Sequence, residues 1–167
     1  NTDDYEAVIA ISPKEDTYFY ALRGNGAFTG NLKMDLSECT PLKVDSLALP
    51  NILLGTAMSS LKPALQDKYN IINAVDDYSS SVQRPNLNAI LSGGLCGAVK
   101  RFGQFIDGGA LAFLAREAGC KVTQMDGSAL PTLSSCSDYK LPGLIIGTSE
   151  SVHQDILNAV RDCYLSD

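Results

Sequence analysis

The chain has 167 residues, 45% hydrophobic and 19% charged, a balance that supports one sizeable core and excludes a disordered chain. Thirteen basic against nineteen acidic side chains leave a net charge of −6, which excludes broad binding to nucleic-acid polymers, because that requires a positive surface. No apolar run is long enough to cross a bilayer, so no membrane partner is expected, while a few local cations still suffice for a small anionic substrate.

Residues 6–12 form an apolar run of strand length, closed by turn chemistry at Pro13, Lys14, Glu15 and Asp16. Residues 17–23 are β-branched and aromatic and predict the second strand of a hairpin. Gly24-Asn25-Gly26 follows, where positive φ costs little. Residues 31–50 are turn-rich, with a short strand at 42–44. Beyond residue 50, strands at 52–55, 68–75, 97–102, 121–124 and 144–147 alternate with helices, which predicts an α/β sheet layered with helices. Pro85 suits the start of a helix over 85–92. The helix over 108–118 places Leu111, Leu114, Ala115 and Ala118 at i, i+3, i+4 and i+7, between Asp107 as cap and Gly119 as terminator. A final helix is expected from Ser151, capped by that residue, with Ile156, Leu157, Val160 and Cys163 on its buried face. The hairpin over 6–23 is too apolar to stand alone and is expected to join a larger sheet.

Few residues offer chemistry. The five cysteines lie at irregular spacings without a CxxC pair, so reduced thiols in a cytoplasmic protein are expected, with Cys96 and Cys120 as small buried hydrophobes. His153 is the only histidine, which leaves no material for a multi-histidine metal site, and it is expected at the surface. Asp107 has two readings: a cap for the helix that follows, or a ligand for a hard divalent cation at a strand-to-helix junction. Local spacing does not choose between them. Lys100 and Arg101 read as a solvated strand end or as phosphate contacts. Arg84 beside Pro85 reads as an anion contact at a helix start. Glu117 reads as structural or solvated, and Gly24-Asn25-Gly26 as a hairpin turn and not a phosphate loop.

The stretch Ile106-Asp107-Gly108-Gly109-Ala110-Leu111-Ala112-Phe113-Leu114-Ala115-Arg116-Glu117-Ala118-Gly119 resembles the C-terminal signature of the inositol monophosphatase family, an Asp, a small-residue turn into a helix, and a closing Glu-Ala-Gly. Arg23-Gly24-Asn25-Gly26-Ala27-Phe28 resembles the family's Gly-x-Gly-Ala hairpin, and Gly94-Leu95-Cys96-Gly97-Ala98 the segment before the signature. The resemblance runs from about residue 6 to residue 162. It implies the C-terminal α/β layered domain of an α/β/α/β/α sandwich, at 41–167, preceded at 1–40 by a β-hairpin remnant of the N-terminal domain. It also implies Mg2+-dependent hydrolysis of a small phosphate monoester, with Asp107 as metal ligand and substrate contact; Arg84, from its place at a helix start, is expected as a further substrate contact.

The family's Glu-Glu and Asp-Pro-(Ile/Leu)-Asp-Gly-Thr segments do not occur in the sequence, Ile106 stands at the family's Trp, Gly97 at a common Asp, and Ser81-Val82-Gln83-Arg84 at its substrate loop. The sequence also opens on Asn1 without Met. The resemblance therefore implies the C-terminal part of a longer enzyme, with no complete catalytic set in this chain and none expected to act alone. The expected partner is the missing N-terminal half, or a second copy in a dimer, covering residues 6–23. The alternative is a catalytically inactive short relative that serves as a binding or assembly module.

Overall fold

The structure, a computed structural model, describes residues 5–44, 48–75 and 87–165. Its first sheet has four antiparallel strands in the order β1-β2-β3-β4: β1 (Ala7–Ser12), β2 (Thr17–Leu22), β3 (Gly26–Asn31) and β4 (Thr40–Leu42). The expected hairpin is therefore there, but the larger sheet it joins is made by this chain's own β3 and β4 and not, as expected, by a partner, a second copy or a missing half. The β2–β3 turn carries Gly24 at φ 69° and Gly26 at φ 84°, the left-handed geometry that glycine adopts without a Cβ penalty.

The second sheet is mixed, in the order β6-β5-β7-β9-β8: β5 (Asn51–Leu54), β6 (Asn70–Asn73), β7 (Gly97–Gln104), β8 (Lys121–Gln124) and β9 (Lys140–Gly147). β5 runs parallel to both β6 and β7, while β9 lies antiparallel between β7 and β8. The helices are a single turn α1 (Lys62–Leu65), α2 (Ala110–Glu117) and α3 (Glu150–Val160). Of the helix expected over 85–92, residues from Leu87 to Ile90 form a 3-10 turn, and 85–86 lie outside the described residues.

The layers follow from side-chain alternation along the strands. On β5, Leu53 faces a core shared with Phe19, Ala21 and Ala27 of the first sheet and with Leu111–Ala115 of α2. Its neighbours Ile52 and Leu54 face a second core with Leu61, Leu65, Ile156, Leu157 and Val160. Both faces of the second sheet are thus covered, which is why its strands read as continuous apolar runs. The order through the molecule is sheet, α2, sheet, then α1 with α3. Across that last layer, Lys68 Nζ lies 2.9 Å from Asp155 Oδ1, and the Tyr69 hydroxyl donates to Asp155 Oδ2 at 2.7 Å. The outer face of the first sheet is different: Ile9, Ile11 and Leu22 are 58%, 60% and 43% exposed.

Three further expectations are corrected. Ser149, not Ser151, caps α3, its Oγ accepting from Val152 N at 3.2 Å, because Ser149 keeps an extended backbone while Glu150 is already helical and Ser151 lies inside the first turn. Cys163 is exposed, since a π-helical turn over Arg161–Leu165 rotates it off the buried face, where Val160 is fully buried. His153 is buried at 2% exposure, pressed against the backbone of Gly147, where a Cβ would stand 2.6 Å from His153 N. Its Nε2 lies 2.8 Å from Thr123 Oγ1, whose own proton goes to the Gln124 carbonyl at 2.8 Å. Nε2 is then the protonated nitrogen, and Nδ1 has no hydrogen-bond partner among the described residues. Cys96 and Cys120 are buried as expected, and burial pushes their thiols up to about 11 and about 12.

Candidate active site

β7 carries Lys100, Phe102 and Gln104 on one face, two residues apart each time, and Arg101 on the other, where its guanidinium lies over the Tyr164 ring at 5.6 Å. Gln104 pairs across the sheet with Lys140, so Lys140 shares the face of Lys100. After Gln104 the chain makes a π-helical turn, Phe105–Gly109, that feeds α2. Gly108 and Gly109 let that turn close against Leu141 and against Tyr5 and Phe105, where a Cβ at Gly109 would meet the Tyr5 hydroxyl at 2.7 Å. The turn holds Asp107 over an open cavity of about 480 Å3, lined by Lys100, Phe102, Gly103, Gln104, Asp107 and Lys140.

The two sequence readings of Asp107 meet in this geometry. Its Oδ1 accepts from Gln104 N at 3.1 Å and from Gly108 N, so the carboxylate does cap the start of the turn. Its Oδ2 faces Lys100 Nζ at 3.9 Å, and the side chain is 62% exposed. Burial pushes the carboxyl pKa up, but the two backbone donors and the Lys100 ammonium outweigh it and hold the group below its ordinary value. Asp107 is therefore an anion at a cleft, neither sunk in apolar packing nor turned away from a concavity. Ile106, at the position of the family's Trp, is 87% exposed and packs into nothing that fixes the site.

Of the other expected residues, Lys100 reaches the cavity and Arg101 does not. Arg84 and the segment from Ser81 lie outside the described residues. Glu117 closes the far end of α2, where its Oε2 accepts from Gly24 N at 3.2 Å and Gly26 N at 3.1 Å, so it is structural, and it ties the β2–β3 turn to the helix. Lys140, Gln104 and Phe102 were not singled out by the sequence. Lys140 stands opposite Gln104 across a strand pairing that no local pattern reveals, and Pro142 and Gly143 disguise the start of β9.

Magnesium takes oxygen ligands in near-octahedral geometry and sheds its waters reluctantly. Among the described residues no three His, Cys, Asp or Glu side chains come together to hold a metal ion, and Asp107 is the single carboxylate lining the cavity. The described residues do not by themselves fit a magnesium site.

A sheet joined through one helix to a mixed sheet is a fold shared with inositol monophosphatases, over somewhat more than half of their length. Solved structures that share it include an inositol monophosphatase of Thermotoga maritima, with a TM-score of 0.67 and 16% identity over 96% of this chain and 57% of that one. The extragenic suppressor protein SuhB of Bartonella henselae matches at a TM-score of 0.67 and 20% identity, over 96% of this chain and 59% of that one. Inositol monophosphatase II of Staphylococcus aureus, solved with inositol monophosphate bound, matches at 0.60 and 17%, over 91% and 55%. The chain thus spans less than two thirds of the length of the proteins it matches. No protein-family model matches the sequence, and no curated protein matches it.

Proposed function

We propose that this chain is the C-terminal part of a Mg2+-dependent phosphate monoester hydrolase, to which it contributes one metal ligand, Asp107, and one wall of the substrate cleft. The carrying observation is the carboxylate at the β7-to-α2 junction, ionised and open to a cavity of about 480 Å3. Among the described residues one carboxylate does not make a magnesium site, so on this reading the site is completed by further ligands of the full gene product and this chain alone is expected to be silent. The exposed outer face of the first sheet supports the same reading, since Ile9, Ile11 and Leu22 offer an apolar surface that such a segment would cover. A small phosphorylated substrate is supported by the ligands of the Staphylococcus aureus neighbour, solved with inositol monophosphate and with 2′AMP.

Phosphate release from those two monoesters by the full gene product in Mg2+ tests the reading. Activity should fall by at least about 100-fold in Asp107→Asn. Full activity in that variant would overturn the role of Asp107, and no release from any monoester would overturn the hydrolase. One observation favours a second reading, a catalytically inactive relative that only binds: Asp107 already faces the Lys100 ammonium at 3.9 Å.

A further inference from the structure

We propose that Lys100 and Lys140 make the Asp107 cavity an oxyanion site that fills without a metal ion, the Lys100 ammonium standing where a divalent cation would meet Asp107. The inference rests on the reading of this cleft as the phosphate cleft and departs from it over the metal. The wall of the cavity carries two ammonium groups against one carboxylate. That carboxylate is committed: one oxygen accepts from two backbone N–H groups and the other faces Lys100. A divalent cation would have to displace the Lys100 ammonium and surrender water for a single protein ligand, whereas an oxyanion is drawn to both ammonium groups and competes only with their partly exposed carboxylate partners.

The strands put the two lysines on the wall of one cavity. Lys100 and Lys140 share a face of the sheet, Lys140 lying directly across from Gln104, four residues along β7 from Lys100. Their backbones are separated by about 13 Å of strand, a span that two extended lysine side chains and a tetrahedral anion between them together would bridge. Gly103 lies beside both groups: a Cβ there would stand in ordinary contact at 3.7 Å from Lys100 Nζ and 3.9 Å from Asp107 Oδ1. Lys140 also lies 3.7 Å from Asp138 Oδ2, but with 69% and 82% of the two side chains exposed that pair holds weakly and yields to a better anion.

Titration of the chain with inorganic phosphate, followed by the amide resonances of Gly103, Gln104 and Asp107, reads the site directly. Equal affinity in EDTA and in Mg2+ is expected. Lys100→Gln and Lys140→Gln should each weaken phosphate by about fivefold. Lys100→Arg should restore it, and Lys100→Gln should tighten Mg2+. Thermal melts confirm that each variant is folded. Binding that requires Mg2+ overturns the inference and leaves the phosphate cleft standing. Binding unmoved by both Gln variants puts the anion elsewhere and overturns the inference too. No binding in either buffer sinks the phosphate cleft itself.

Discussion

Asp107 and His153 are opposite cases of an ionisable group placed by its neighbours. Asp107 is held ionised by Gln104 N, Gly108 N and Lys100, and its folded pKa lies below that of the unfolded chain. Its contribution is therefore complete above the unfolded carboxyl value of about 3.9 and is lost as pH falls through the folded value. Asp107→Ala should cost about 1 kcal/mol at pH 7, as loss of a cap does, and urea titrations in strong acid should find the gap narrowed. His153 is held neutral: burial lowers its pKa, with Lys121 adding to that effect and Glu150 opposing it. The unfolded chain then takes up a proton that the folded chain refuses. Stability should be full above pH ~6.5 and decline below it toward the folded value. In His153→Gln that decline should flatten, and a series of melts from pH 7.5 to 5 checks it. An unchanged slope would mean that the imidazole is not the group responsible.

At the scale of the elements, most strands were legible because their composition is. Residues 7–12, 17–22 and 144–147 are apolar, β-branched or aromatic, and pairing only completed what the sequence already favoured. β3 was not legible: Gly26-Ala27-Phe28-Thr29-Gly30-Asn31 has little strand propensity and is a strand because β2 and β4 flank it. The front of β9 was hidden by Pro142 and Gly143, and with it went Lys140, the cavity residue farthest in sequence from Asp107. Asp107 itself was legible through a local motif, whereas Lys140 and the bonds of Glu117 depend on pairings between distant segments. The start of α3 shows how a small offset matters. Ser149 has extended backbone and caps, while Ser151 lies inside the first turn. Ser149→Ala should cost about 1 kcal/mol and Ser151→Ala no more than about 0.5 kcal/mol. Denaturant midpoints of the two variants decide which serine caps, and equal midpoints would refute the assignment.

On the scale of the whole molecule, one side is finished and the other is not. The second sheet is covered on both faces, by α2 and by α1 with α3, whereas the first sheet shows Ile9 and Ile11 on its outer side. The chain by itself should therefore self-associate as its concentration rises, and the pair Ile9→Lys and Ile11→Lys should suppress this without lowering the melting temperature, as sedimentation velocity and thermal melts would show. Equal association in both proteins would locate the contact on another surface. No helix among the described residues is long and apolar enough to cross a membrane. The bonds from Glu117 to Gly24 and Gly26 give the open sheet a mechanical link to the cleft. α2 is a stiff rod of about 12 Å, pinned to a surface loop at one end and carrying the cleft's acid just before the other. Both ends of that rod are therefore anchored, one by Glu117 to the β2–β3 turn and the other by the turn whose backbone Asp107 caps.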